Sequence, residues 1–432
     1  MIKIFIFGFI LRLIPFLYVS IYHPEGVLFY DSYSYLNIAD NLIDHQVFSQ
    51  AADGQSLIPD IARTPVFPFL LVLLKLISGN ILWISFVLLL VGSLNVLLTY
   101  KIALQVTVNE KIALISACLV AVDIPSIFFS SIILTETVFT TLLLLMIYFL
   151  IKKELNLKWA LLVGLFMSLL ILCRPIAIYL PVAISLFFLW KRKALKSTIT
   201  FMVSSYFLVA FWSVRNYQEF NTINLSSVSS TNLYMHTSAS IIVETSGISH
   251  FEAQQQLRSE FRTEFNGQDR SKEMGSMIRF CNRKAIGYIF EHPVIFVKQY
   301  TIGLIYFFIK PIRHYIDGYL GTSTVFYSAV AEKNVSSDAW IKLKKETSLL
   351  TIILVIIQLL FIGFMLIGIL VSVLRSGWNK ELILFMVILA YFALLSSITD
   401  VDGRFRIPVV PFMAVLAMVG WSKLMSKKFE HQ

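Results

Sequence analysis

The stretch from Phe29 to Pro68 holds most of the acidic residues of the first hundred positions, and it lies between two strongly apolar segments. Its aspartates are Asp31, Asp40, Asp44, Asp53 and Asp60, and Arg63 follows them. A carboxylate beside membrane-spanning segments costs free energy unless it faces water or takes part in chemistry. We therefore expect this stretch to form a catalytic loop at the surface of a bilayer, held there by the rest of the chain.

Arginines are the second group of residues whose types suit a specific chemistry. They are Arg63, Arg174, Arg215, Arg404 and Arg406. A guanidinium group binds a phosphate through two parallel hydrogen bonds, and a carboxylate can accept the proton of an attacking hydroxyl. Together these groups favour displacement at a carbon that carries a phosphate leaving group. A site at the membrane surface would let a lipid-linked phosphate keep its tail in the bilayer.

Several of these residues also have a structural interpretation. Asp31 opens a helical pattern and could be a helix N-cap, with or without acting as a base. Glu136 could simply favour a helix N-terminus, and Arg174 and Arg215 could be ordinary interfacial arginines. Asp123 falls inside an apolar run, where a carboxylate needs a partner or nearby water.

The composition indicates an integral membrane protein. The 432-residue chain is 57% hydrophobic and 14% charged, whereas soluble domains carry roughly 25% charged residues. Apolar runs of about 20 residues recur, which is typical of membrane-spanning helices and not of a barrel. The net charge is +10, but the Lys and Arg lie mostly in short loops between apolar runs, so we do not expect nucleic-acid binding.

The cysteines and histidines indicate no disulfide framework and no metal site. Cys118 and Cys173 lie inside apolar runs, and Cys281 is alone in a polar segment. The histidines are scattered without metal-ligand spacing.

Residues 1–215 are predicted to form a module of seven membrane-spanning helices that starts in the cytoplasm. The spans are about Ile4–Tyr22, Ile81–Ala103, Ile112–Ser131, Thr135–Ile151, Trp159–Cys173, Ala177–Trp190 and Thr198–Trp212. The basic clusters near positions 101–111, 152–158 and 191–196 then all fall on the cytoplasmic side. The first span lacks a small-residue cleavage site, so we expect it to be retained, with Arg12 snorkelling or bonded to a partner.

The external loop 23–80 of this module is predicted to contain two helices at the membrane surface. Residues Asp31–His45 have helical spacing, with Tyr35 on the apolar face. The segment 65–78 is apolar but too short to span, so we interpret it as an interfacial or re-entrant helix. With this topology Asp31, Arg63, Glu136, Arg174 and Arg215 are all external.

The second half of the chain is predicted to return to the membrane near its end. Residues 216–310 form an external loop with helices, and the segment 293–310 lies on the membrane because it contains Lys298 and Gln299. Residues 311–432 add about three spans, near Leu349–Leu374, Leu382–Leu395 and Ile407–Trp421, with a cytoplasmic C-terminus. The external loop 398–406 brings Asp400, Asp402, Arg404 and Arg406 to the same face. No internal repeat is visible, which counts against an inverted-repeat transporter.

At these residues the sequence resembles the GT-C membrane glycosyltransferases, in particular the bacterial branch related to protein mannosyltransferases and to the aminoarabinose transferase of lipid A. The matching motifs, in chain order, are Asp31 with Tyr35 and Ala39–Leu42, Arg63-Thr-Pro65 with Pro68, Leu134-Thr-Glu136, Cys173-Arg174-Pro175, Trp212-Ser-Val-Arg215-Asn216 and Arg404-Phe-Arg406-Ile-Pro408. Each motif is short, but their order covers nearly the whole chain.

The resemblance implies transfer of a sugar from a polyprenyl-phosphate donor, with inversion and in a single displacement, to an acceptor outside the membrane. It implies Asp31 as the general base. It implies that Arg63, Arg174, Arg215 and Arg404 bind the donor phosphate and that Glu136 positions the substrate. Three further residues of the external face are candidate substrate-binding residues: Arg406, Asp60 and Tyr35. Ser32 departs from the mannosyltransferases, which carry a second acid there, so the acceptor could be a glycan, a lipid or a protein. Some relatives of the fold use a divalent metal, and no cofactor is assigned here.

Two other functions remain open at this point. A glycan polymerase or O-antigen ligase would use a diphosphate-linked oligosaccharide and a large external loop, for which Asn216–His292 is a candidate. A flippase for lipid-linked sugars would share the helices but would place charges midway through several spans. For any of these, we expect a multi-pass protein of the plasma membrane with its site on the external or periplasmic face.

Overall fold

The computed structural model describes residues 1–152, 156–192, 195–266, 273–322, 348–375, 377, 379–398 and 401–429. Every regular element in these ranges is a helix, and several helices are strongly apolar. The predicted all-α polytopic fold is therefore confirmed. The predicted division into three regions remains a prediction.

The helices of the N-terminal region closely follow the predicted segments. They are α1 Ile2–Tyr22, α2 Tyr30–Asp44, α3 Val66–Ile77, α4 Ile81–Thr107, α5 Glu110–Val122, α6 Ile124–Phe129, α7 Glu136–Lys152, α8 Leu157–Cys173, α9 Leu180–Arg192 and α10 Leu195–Phe220, with 3₁₀ turns at Pro24–Val27 and Pro175–Tyr179. The two helices expected in the loop 23–80 are thus formed as α2 and α3.

The remaining described helices begin in the segment predicted as an external loop. They are α11 Val228–Asn232, a π-helical turn Leu233–Ser238, α12 Ala239–Ser246, α13 His250–Glu264, α14 Met274–Glu291, α15 Pro293–Ile309, α16 Arg313–Leu320, α17 Leu349–Arg375, α18 Lys380–Ser396, a 3₁₀ turn Gly403–Val409 and α19 Val410–Phe429. Asp400, predicted to face outward with this loop, lies outside the described residues.

Of the described helices, five are long and apolar enough to cross a membrane singly: α1, α4, α10, α17 and the segment Gly403–Met425. Shorter apolar helices include α3, α7 and α8. Together α14 and α15 would be long and apolar enough to form one span, but they are bent by 103° at their junction. The predicted count of seven plus about three spans therefore stays a prediction. The same holds for the membrane-surface position of α3 and α15.

The span predicted over Ile112–Ser131 is broken at Asp123, which has an extended backbone between α5 and α6. The Asp123 carboxylate caps α6, accepting hydrogen bonds from the Ser126 backbone N–H at 3.0 Å and from its hydroxyl at 2.6 Å. Pro125 lies in the first turn of α6, where a backbone N–H would have no intrahelical acceptor, so a proline there costs no hydrogen bond. The buried carboxylate thus has the partner that the sequence required.

Arg12 is buried, with its side chain bonded to its own helix and to the end of α5. Its guanidinium donates to the Gly8 carbonyl at 3.0 Å and, at 3.4 Å, to the carbonyls of Val120 and Ala121. Those last two carbonyls lie at the C-terminus of α5, which carries partial negative charge. The partner-bonded interpretation of Arg12 is therefore the one the structure shows.

The segment predicted as an external loop folds around its own small core. Tyr234, Leu257 and Phe280 are buried there, and the Tyr234 hydroxyl donates to Glu260 at 2.6 Å. Lys284 forms an ion pair with the same glutamate. This core explains how a polar segment between apolar helices keeps a defined fold.

Candidate active site

Asp31 lies in the first turn of α2, but it is not the N-cap. That position belongs to Phe29, whose backbone N–H donates to the Ser32 hydroxyl at 3.0 Å. The suggested capping role of Asp31 is therefore wrong. Its carboxylate is free of the helix backbone and faces two arginines instead, while the positive end of the α2 dipole favours its charge.

The two arginines that contact Asp31 come from distant parts of the chain. Arg63 Nη2 lies 2.7 Å from Asp31 Oδ1, and Arg404 Nη2 lies 3.1 Å from Asp31 Oδ2. Arg404 follows Asp402, whose carboxylate accepts the Arg404 backbone N–H at 3.0 Å and so starts the 3₁₀ turn. Each carboxylate oxygen of Asp31 is thus bound by a different guanidinium.

The ion pairs continue from Arg404 to Glu136, the first residue of α7. Glu136 Oε1 lies 3.6 Å from Arg404 Nε and 3.0 Å from Arg174 Nη1. Arg174 follows α8 at its C-terminus. Charges therefore alternate in the order Arg63, Asp31, Arg404, Glu136, Arg174, and we call these five residues the ion-pair chain.

Aromatic rings lie against the guanidinium groups of the ion-pair chain. Tyr35 lies 4.7 Å from the Arg63 guanidinium carbon, measured to the ring centroid. Tyr315 and Phe405 lie 5.7 and 5.6 Å from that of Arg404. Such contacts favour the cations and fix their orientation. Tyr35 was predicted; Tyr315 and Phe405 were missed, since nothing in their spacing distinguishes them from core aromatics.

Asp60 positions the backbone of Arg63. Its two carboxylate oxygens accept the N–H groups of Arg63 at 2.8 Å and Ala62 at 3.1 Å, together with the Gln50 side-chain amide at 2.7 Å. Burial raises the pKa of Asp60, although these hydrogen bonds act in the opposite direction. This geometry supports a positioning role, whereas the predicted contact with substrate stays a prediction.

Arg215 lies outside the ion-pair chain but contacts the same loop. Its guanidinium donates to the Asp60 carbonyl oxygen at 2.7 Å and to Asn216 Oδ1 at 3.0 Å. The rings of Trp212 and Phe48 lie 5.0 and 5.5 Å from its guanidinium carbon. The side chain predicted to bind phosphate is therefore engaged in holding the loop that carries Arg63.

Arg406 was also predicted to bind substrate, but its side chain is fully buried against α15. It donates to the carbonyls of Phe307 at 3.1 Å and Phe308 at 2.5 Å. These carbonyls are among the last of α15, where a cation is favoured. These contacts give Arg406 a structural role, and its predicted contact with substrate stays a prediction.

The ion-pair chain carries a net charge of +1, with three guanidiniums and two carboxylates. Within the described residues, Arg63 Nε, Arg404 Nε and Glu136 Oε2 are buried without a hydrogen-bond partner. Burial raises the pKa of Asp31, but Arg404 and Arg63 outweigh it and hold that pKa well below its ordinary value. The arrangement can therefore receive an anion and contains a carboxylate that stays ionised.

A divalent metal, implied by some relatives of the fold, does not fit this arrangement. Both carboxylates of the ion-pair chain are bound by guanidiniums, which would repel a cation. Throughout the described ranges, no group of three His, Cys, Asp or Glu side chains is placed to hold a metal ion.

Two solved structures are among those similar to this chain. AglB, an archaeal oligosaccharyltransferase from Archaeoglobus fulgidus in complex with an inhibitory peptide and a dolichol-phosphate, aligns with 92% of this chain and 46% of its own, at 15% identity and a TM-score of 0.49. The chain thus spans about half the length of that protein. ArnT from Cupriavidus metallidurans bound to undecaprenyl phosphate aligns with 91% of this chain and 73% of its own, at 14% identity and a TM-score of 0.35.

No curated protein sequence matches this chain significantly. Residues 62–215, about a third of the chain, match the family described as dolichyl-phosphate-mannose-protein mannosyltransferase. The matched segment contains Arg63, Glu136, Arg174 and Arg215, which carried four of the six motifs. The family match confirms, over residues 62–215, the resemblance to GT-C membrane glycosyltransferases that those motifs predicted.

Proposed function

We propose that this protein transfers a sugar from a polyprenyl-phosphate donor to an acceptor outside the membrane, with inversion at the anomeric carbon. The family match supports a glycosyltransferase. The observation that carries the finer proposal is the Asp31 carboxylate held between Arg63 and Arg404. The proposed base, Asp31, therefore contacts the two proposed phosphate-binding residues, Arg63 and Arg404, before any substrate binds.

Donor binding would change what Asp31 can do. A carboxylate bound by two guanidiniums is a poor base, because its pKa lies below its ordinary value. The donor phosphate competes for the N–H groups of Arg63 and Arg404, since arginine binds phosphate bidentately. Asp31 then loses part of its stabilisation, its pKa rises, and it becomes able to accept a proton.

The proposed reaction is a single displacement. The acceptor hydroxyl oxygen attacks the anomeric carbon while its proton passes to Asp31, and the bond from that carbon to the phosphate oxygen breaks. The leaving polyprenyl phosphate keeps the bonding electron pair, and Arg63 and Arg404 stabilise its added charge. Glu136 holds Arg404 and Arg174 in place, so that binding does not require reorganisation of the site.

The arrangement of helix ends supports the proposed topology. Glu136 begins α7, Arg174 follows α8, and Arg215 lies near the end of α10, all close to the ion-pair chain or its loop. The opposite ends of these helices carry Lys152, Lys158 and Lys196. Because positive residues favour the cytoplasm, we place the ion-pair chain on the external face of the plasma membrane and both termini in the cytoplasm.

A polymerase or ligase that uses a diphosphate-linked oligosaccharide is the nearest alternative. That reading draws on the segment Asn216–His292, yet the arginines of the ion-pair chain all come from outside it. A flippase would need no base. We therefore rank transfer from a monophosphate-linked sugar first and make the others outcomes of the test.

The test compares wild type, Asp31→Asn and Asp40→Asn, each reconstituted with the host's lipid extract and envelope acceptors. Asp40 lies on the same helix and pairs with Lys75, so it is a matched control. Mass spectrometry should show loss of one polyprenyl-phosphate sugar with wild type and Asp40→Asn only. Consumption of a diphosphate-linked oligosaccharide would favour the polymerase or ligase. Movement of the donor between leaflets without turnover would favour a flippase, and full activity of Asp31→Asn would remove the assigned base.

A further inference from the structure

A separate cavity of ≈ 300 Å³ lies between the small core around Tyr234 and the apolar helix α15. Its lining residues belong to the π-helical turn Leu233–Ser238, α12, the start of α13 and α15, together with Ser397, Ile398 and Val401. Its volume is at the lower end of the range found for small-molecule sites. None of the five residues of the ion-pair chain lines it, so it is a different site from the one described above.

Three aromatic rings line this cavity, and all belong to α15. They are Phe296, Tyr300 and Tyr306. The Tyr300 hydroxyl donates to the Leu394 carbonyl at 3.0 Å, which ties its ring to α18. Aromatic faces suit the C–H faces of a sugar ring, which are apolar and slightly positive.

Polar groups of several kinds complete the lining. Gln299 donates its side-chain N–H to the Ser240 carbonyl at 2.8 Å, which leaves its amide oxygen as an acceptor. Glu244 pairs with Lys298 at 3.0 Å, and the His250 ring also faces the cavity wall. Planar amide, carboxylate and imidazole groups bind neighbouring hydroxyls of a sugar through paired hydrogen bonds. A purely apolar lipid chain would offer no hydrogen-bond donor to the Gln299 amide oxygen.

The cavity wall is connected to the ion-pair chain through a short stretch of backbone. Thr237 donates to the Ile398 carbonyl at 2.9 Å, and Lys310 donates to the Val401 carbonyl. Arg404 follows Val401 by three residues, so at most about 10 Å of extended chain separates them. Anything bound in the cavity therefore lies beside the segment that delivers Arg404 to Asp31.

We propose that this cavity binds a sugar unit of the acceptor, and that the acceptor is a glycan rather than a protein or a simple lipid. This inference rests on the proposed transferase function and specifies its acceptor. One sugar of the glycan occupies the cavity, and a second unit of the same glycan presents its hydroxyl to Asp31.

The test is saturation-transfer NMR on the full-length protein in nanodiscs, with lactose, maltose, cellobiose and chitobiose as probes. Wild type should transfer saturation to at least one disaccharide. The double variant Gln299→Ala with Tyr306→Ala should bind that disaccharide about tenfold more weakly, as expected for loss of a hydrogen bond and a ring contact. Gln255→Ala, an exposed change on α13, is the matched control and should bind as wild type does.

Asp31→Asn separates this inference from the proposed function. It should keep disaccharide binding and lose transfer; if it keeps transfer, the proposed function fails while the sugar site stands. The inference itself is overturned if no disaccharide binds wild type, or if the double variant binds as strongly as wild type. Loss of undecaprenyl phosphate binding in the double variant would also overturn it, since the cavity would then hold lipid.

Discussion

Asp31 accepts a hydrogen bond from Arg404 at 3.1 Å, although 373 positions separate the two residues in the chain. The contact joins the first turn of α2 to the 3₁₀ turn that precedes α19. It places both residues on one side of the molecule, as the topology predicted from the basic clusters requires. It also gives the candidate base a charge partner that donor phosphate would compete for.

Replacing Asp31 with Asn is expected to reduce the transfer rate by a factor of about 10² to 10⁴, the usual contribution of a general base. Asn keeps the size of the side chain and one acceptor oxygen, so the fold should persist. The rate is measured with a purified donor, and circular dichroism and thermal unfolding report the fold. Equal rates for Asp31→Asn and Asp40→Asn would contradict the assignment.

Replacing Arg404 with Lys is expected to reduce kcat/KM for the donor by at least about 100-fold. An ammonium group on a flexible stem makes a single point contact, whereas Arg404 contacts both Asp31 and Glu136 through different nitrogens. The measurement is steady-state kinetics over a range of donor concentrations. A Lys variant with wild-type kinetics would show that the bridging geometry is dispensable.

Arg406 provides the matched comparison two positions away. Arg406→Lys should destabilise the protein by about 1–3 kcal/mol, because the shorter lysine side chain cannot reproduce the guanidinium hydrogen bonds to the buried carbonyls of α15. The donor KM of the folded fraction should stay at the wild-type value, because Arg406 is not part of the ion-pair chain. Thermal unfolding in detergent and the kinetics of Arg404→Lys, run side by side, separate the two roles. A raised donor KM at unchanged stability would return Arg406 to the binding site.

Arg215 is expected to act through the loop that it holds. Arg215→Gln removes the charged donor to the Asp60 carbonyl, so Arg63 becomes less well positioned and the donor KM should rise about tenfold. Asp60→Asn should produce a change in the same direction. The two effects should not add in the double variant, since both act on one loop. Additive losses would show that Arg215 binds the donor independently.

The pH dependence of the reaction should differ between free and donor-bound protein. Arg404 and Arg63 hold the pKa of Asp31 below its ordinary value, so Asp31 is ionised above about pH 4 in the free protein. Its ion pairs contribute stability that is fully present above the unfolded pKa of about 3.9 and is lost as the pH falls through the folded pKa. Donor phosphate would compete for the arginines and raise that pKa. The acid limb of kcat should therefore lie at higher pH than the acid limb of kcat/KM; coincident limbs would contradict this competition.

Much of the fold could be predicted from the sequence, because apolar runs and basic loops mark membrane helices directly. The break at Asp123 was not predicted, since the apolar run around Asp123 has the pattern of a continuous helix. Only the hydrogen bond from Ser126 to the Asp123 carboxylate shows that a new helix begins there. Within the candidate site, the residues of the ion-pair chain were all predicted, as was Tyr35. The contacts of Arg406 could not be predicted, because Arg404 and Arg406 lie two positions apart in one motif and only packing against α15 distinguishes them.

The ion-pair chain also has a consequence for how the protein is made in the cell. Asp31, Arg63, Glu136 and Arg174 are translated early, whereas Arg404 follows more than two hundred residues later. Until Arg404 is synthesised, Asp31 has only Arg63 and Glu136 has only Arg174, and the two carboxylates lack the cation that they share. A nascent chain that lacks Arg404 therefore has an incomplete ion-pair chain, and synthesis of the 3₁₀ turn Gly403–Val409 completes it. Under the proposed function, donor binding therefore has to wait until the segment that carries Arg404 has been synthesised.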